Sequence, residues 1–97
     1  MLLATVEYVP GRELELLGIV KGTTVQSKHV GKDFMAGVKT LVGGEIIEDA
    51  RRVATDRMAA EAEALGADAV IGVRYTTTSV MQGASEVVAY GTAVRYR

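Results

Sequence analysis

Two periods of hydrophobic spacing divide the chain. From Gly43-Gly44-Glu45 to Gly66-Ala67-Asp68, the apolar residues Ile47, Ala50, Ala54, Met58, Ala62 and Leu65 recur at steps of three and four, which predicts one long amphipathic helix over residues 45–65. Its polar side carries Glu48, Arg51, Arg52, Thr55, Asp56 and Glu63, with Glu48/Arg52 and Arg52/Asp56 at helical pairing distance. Glu45, Glu48 and Asp49 complement the positive end of the backbone dipole, and Gly66 is the expected stop. Beyond Gly66 the spacing becomes extended. Residues 69–78 and 86–96 are rich in β-branched and aromatic side chains and flank Gln82-Gly83, so they predict an antiparallel hairpin that packs on the helix.

Before the helix, residues 1–8 predict a short N-terminal strand, an edge or exchanged arm that ends at Pro10-Gly11. Residues 15–27 predict a strand that Gly18 and Gly22 bend or open to close approach. Phe34, Met35, Val38, Leu41 and Val42 predict a short helix capped by Asp33 and stopped at Gly43. The expected fold is therefore α+β, a two-layer sandwich of an antiparallel sheet on one long helix, in a single domain over 1–97. If the strands pair so that Ile71, Val73 and Tyr75 share a face with Val88, Tyr90 and Val94, that face is large and suits the long helix. The reverse face, with Val70, Gly72, Val87, Ala89, Gly91 and Ala93, is then small and apolar and calls for a neighbouring subunit to cover it.

Composition narrows the function classes. A net charge of -1 gives no field for nucleic acid or an anionic membrane, and the expectation is a partner list that contains neither. The chain has no Cys and one His, which removes thiol chemistry and most soft-metal donors. The apolar run at Met1-Leu2-Leu3-Ala4 meets Glu7 too soon for a secretory core, so a cytoplasmic location is the default. With one Phe and no Trp, 97 residues bury little surface alone, and association with copies of itself is one remedy.

Candidate chemistry is sparse. His29 and Asp33 stand four residues apart and could share a metal ion on one helical turn, although a site needs three or four ligands and a surface His before a cap is the plain alternative. Ser27, His29 and Asp33 supply triad residue types without a nucleophile elbow. Gly43-Gly44 could present N–H groups to a phosphate, but Glu45, Glu48 and Asp49 would repel it. Met35 and Met58 sit on apolar helical faces, as core methionines do. Arg74 and Glu86 project from the hairpin strands and Lys21 from the earlier one, candidates for an interface, a ligand contact or a pore. Tyr90, with Tyr75 and Tyr96, could stack on a flat ligand or pack in the core. No catalytic set emerges, so the expectation is a protein that is not an enzyme and takes no cofactor.

Gly18-Ile19-Val20, Gly43-Gly44-Glu45, Arg57-Met58, the run from Leu65 to Tyr75 and Tyr90-Gly91-Thr92-Ala93-Val94 together resemble the YbjQ family of small bacterial and archaeal proteins, sometimes labelled heavy-metal-binding. The resemblance runs nearly end to end. It implies a fold similar to the dodecin subunit and a ring-shaped homopentamer with added short strands between subunits. Between Gly44-Glu45 and Arg57-Met58 the chain is shorter than the usual family pattern by about two helical turns.

Overall fold

The structure is a computed structural model that describes residues 1–27 and 43–97, with side chains described for 1–26 and 49–97. The predicted helix at 33–42 and the residues His29 and Asp33 lie outside the described residues. The elements are β1 (Leu2–Leu3), β2 (Leu14–Ser27), α1 (Gly43–Ala64), β3 (Ala69–Met81) and β4 (Ala84–Tyr96). The four strands form one sheet in the order β1-β3-β4-β2, and α1 packs on one side of it. The fold is α+β, but the sheet is mixed rather than antiparallel, because β1 runs parallel to β3. That pairing continues past β1: Ala4 N donates to Val70 O at 2.9 Å, Val73 N to Ala4 O at 3.0 Å and Gly72 N to Val6 O at 2.8 Å. The N-terminal arm is an edge of its own sheet.

The helix ends as its sequence requires. Gly66 takes a φ of 80°, Gly66 N donates to Glu63 O at 2.9 Å and Ala67 N to Ala62 O at 3.1 Å, the paired bonds that satisfy the last helical carbonyls. Asp68 leads into β3, and its Oδ2 accepts the backbone N–H of Tyr96 at 2.8 Å. Ala50, Ala54, Met58 and Ala62 are buried as their spacing predicts, whereas Leu65 is exposed. On the polar side Arg52 pairs with Asp49 one turn back, not with Asp56.

The helix covers the other face of the sheet from the one that alternation selects. Its partners are Val20, Val70, Val73, Val87, Ala89 and Ala93, the set with the small residues. The reason is close approach. A helix surface made of Ala50, Ala54 and Ala62 must come near the sheet to make contact at all, and Gly22 leaves room for it. The small face is therefore closed by the chain's own helix, and no neighbouring subunit is needed there. At Gly91, a Cβ would meet Val70 Cγ1 at 2.8 Å and Ile71 O at 2.9 Å, so its close neighbour is also intrachain.

A bulge decides which side chains go where on β3. Register shifts between Ile71 and Arg74, and Gly72 sits there with a φ of 62°, a conformation that favours glycine. Val70 and Val73 consequently both face the helix, while Ile71 joins Ala69 and Val94 on the outer side under Val9, Leu14 and Tyr96. Tyr75 is turned to the helix side, where its hydroxyl lies 2.8 Å from Thr55 Oγ1. Arg12 closes this end of the outer face with its guanidinium 4.5 Å from the centre of the Tyr96 ring.

Candidate functional site

The part of the outer face beyond Val9, Leu14 and Tyr96 has no cover among the described residues. On β2 it presents Leu16, Ile19 and Val25, exposed by 72%, 78% and 61%, and on β4 it presents Tyr90, exposed by 40%. These values belong to large apolar side chains in regular strands, where a solvated face would carry polar residues. The pairing register arranges the face in rows. Lys21, Tyr90 and Arg74 are cross-strand partners in one row; Thr23, Val88 and Thr76 form the next, and Val25, Glu86 and Thr78 the one after. Partners directly across antiparallel strands point to the same side, so each row is a set of neighbours.

Arg74 is held in place. Its Nη1 donates to the carbonyls of Thr5 and Val73, each at 2.9 Å, and the bond to Thr5 fastens the N-terminal arm to the sheet. Of the sequence candidates, Arg74 and Tyr90 are brought together as direct partners. Glu86 shares their face but lies four residues along β4 from Tyr90, about 13 Å away at strand rise. The sequence pattern puts Tyr90 toward the helix and Arg74 on the reverse face; the Gly72 bulge is what brings the two onto one side. Leu16, Ile19 and Val25 differ in parity and share a face only because the register of β2 shifts between Leu16 and Gly18, which simple alternation does not show.

The hydrolytic and metal constellations fall on side chains outside the described residues. His29 and Asp33 lie outside the described residues, as does the side chain of Ser27. Among the described residues no three His, Cys, Asp or Glu side chains gather around a common point. Several carboxylates are already engaged: Glu15 accepts from Arg95 at 2.8 Å, Asp49 pairs with Arg52 and Asp68 caps Tyr96. No described helix is long and apolar enough to cross a membrane.

A family model described as "Putative heavy-metal-binding" matches residues 1–97, the whole chain. The chain belongs to the YbjQ family. Curated YbjQ-type relatives carry the name UPF0145 protein. One from Clostridium novyi is 54% identical over 101 residues, covering 98% of this chain and 98% of its own length. One from Thermus thermophilus is 58% identical over 102 residues, with 98% of this chain and 90% of the relative covered, and one from Archaeoglobus fulgidus is 56% identical over 104 residues, with 100% and 96% covered. A crystal structure of a protein of unknown function from Pediococcus pentosaceus, of the DUF74 family, superposes with a TM-score of 0.65 at 16% identity, covering 100% of this chain and 98% of that one, and supports the fold. The donor set of this YbjQ chain does not fit a soft metal. With no Cys and a single His, one protomer supplies at most one strong ligand of that kind.

Proposed function

We propose that the chain is a non-enzymatic binding module that works as a homo-oligomer, with a small ligand seated where the outer sheet face of one copy meets the next. The observation that carries this reading is the exposure of Leu16, Ile19 and Val25 along one face of a single strand. Water is a poor cover for such a row, since each apolar side chain taken out of water contributes about 1.5–3 kcal/mol. A second copy is the occupant that the chain always has at hand, and a 97-residue domain with one Phe gains from the added burial. The strand edges favour the same occupant. Among the described residues β2 is an edge of the sheet, and neither it nor β3 carries a proline to block pairing. A ring of five is the assembly that the family resemblance implies; the physical argument supports association and leaves the number to the resemblance.

Light scattering coupled to size exclusion, with native mass spectrometry of the same sample, tests the reading. The expected result is one species of about 52 kDa, five times the 10.3 kDa chain. Ile19→Lys is expected to reduce that mass without lowering the helical signal, because the side chain is solvent-exposed in the isolated subunit. A monomer at micromolar concentration would overturn the proposal.

The ligand in this reading is not a heavy metal. Calorimetric titration of chelator-treated protein with zinc, copper and nickel is expected to give no binding of micromolar strength or better. Carboxylates such as Glu86 could hold a harder cation weakly, with water completing the shell. Tight binding that disappears in His29→Ala would mean that symmetry-related copies assemble a site from His29.

A further inference from the structure

Lys21 and Arg74 stand on either side of Tyr90, one strand away in each direction. Neighbouring strands are about 4.8 Å apart, so the two cations are rooted about 10 Å apart with an aromatic ring between them. Neither cation is neutralised within the described residues, whose ion pairs are Asp49–Arg52 and Glu15–Arg95. Glu7, whose Cγ lies beside Gly72, makes no ion pair with Arg74. Glu86 is two rows away. The guanidinium of Arg74 is also immobilised by its two carbonyl contacts, which removes part of the ordering cost of binding an anion.

We propose that this row binds a flat aromatic molecule carrying one anionic group, with its ring on Tyr90 and the anion held by Arg74 and Lys21. The ring is the contribution of the tyrosine face, which stacks on any π-system of similar size. The anion is held by the flanking cations, and a carboxylate or phosphate offers the planar or multidentate oxygens to which a fixed guanidinium donates. Val88 in the adjacent row extends the apolar floor, and Thr23 and Thr76 flank it with hydroxyls. A nucleic acid strand is disfavoured. The chain carries a net charge of -1, and a single row of two cations does not track a phosphate backbone.

This inference rests on the binding-module reading for the choice of face, but not on the oligomer. The test is an amide-shift NMR titration of the full chain with phenyl phosphate, with inorganic phosphate and benzyl alcohol as separate controls. The expected result is shifts centred on Lys21, Arg74 and Tyr90, with phenyl phosphate binding at least about tenfold tighter than either control. Tyr90→Leu and Lys21→Gln should each weaken it by about fivefold, and added salt should weaken the wild type further. Arg74 stays native in these variants because it also holds the N-terminal arm. Absent shifts, shifts centred elsewhere, or unchanged binding in Tyr90→Leu would overturn the proposal, and equal binding of inorganic phosphate would overturn the role of the ring. Light scattering on the same samples separates the two readings: a multimer that ignores phenyl phosphate refutes the ligand class alone, and a monomer that binds it refutes the assembly alone.

Discussion

Replacing Ala54 by aspartate is expected to abolish stable folding. Ala54 is fully buried at the centre of the seam between α1 and the sheet, with Val20, Met58 and Ala89 in the same apolar cluster. Among the described residues the core contains no polar or charged side chain that could receive a carboxylate. An ion buried without a partner costs several kcal/mol, and the larger side chain must also force apart two tightly packed backbones. A domain of this size has a total stability of roughly 5–15 kcal/mol, so a loss of about 4 kcal/mol or more removes most of it. The thermal midpoint should fall by about 16 °C or more, since 1 kcal/mol is worth about 4–8 °C at this length. Ala60→Asp provides the comparison, because Ala60 is exposed on the same helix and its substitution should change stability by less than about 1 kcal/mol. Circular dichroism melting of both variants is the check, and equal midpoints would contradict the burial of Ala54.

The elements of this fold are legible in the sequence because each has its own period and its own stop. Ala50, Ala54, Met58 and Ala62 announce the helix, and Gly66 ends it with a positive φ. The strands run from Leu14, Ala69 and Ala84, within two residues of where β-branched content begins. The faces are another matter. Period two assigns a strand's sides only while the strand is regular, and one bulge at Gly72 exchanges them for the residues that follow, as far as the second register shift after Ser79. Val73 and Tyr75 kept their predicted side by that exchange, while Ile71 lost it and Tyr90 lies with Arg74 on the outer face. A second feature was also hidden. Small side chains on a strand read as an exposed surface awaiting a partner, but the helix that lies on them is itself lined with alanine, and two small surfaces fit only each other. The parallel pairing of β1 was beyond any local signal, since it joins Leu2 to Ala69 across the whole helix. Of the candidate site, Arg74 and Tyr90 were legible as residues and illegible as neighbours.

The contact that holds the helix on the small face should make Gly22→Ala far more damaging than its one added methyl suggests. A Cβ at Gly22 would fall on the carbonyl oxygen of Ala54 and the backbone nitrogen of Met58, and within 2.9 Å of Arg57 Cβ. Two of these three are helix backbone, so no rotamer change relieves the overlap and α1 itself must move. Next to Gly22 the helix is also tied down, since Arg57 Nη1 donates to the carbonyl of Thr23 at 2.6 Å. Lifting α1 loosens the packing of Val20, Ala54 and Met58 together, and the expected cost is about 3 kcal/mol, the upper end for overpacking a core. Gly18→Ala separates space from backbone strain. Gly18 has a φ of 132°, which an alanine resists, yet nothing lies within 4 Å of its would-be Cβ. Its substitution should cost about 1–2 kcal/mol through conformation alone. Denaturant unfolding of the two variants should therefore rank Gly22→Ala below Gly18→Ala. The opposite order would mean that the helix does not rest on β2 at Gly22, and with it would go the assignment of Lys21, Tyr90 and Arg74 to the open side of the sheet.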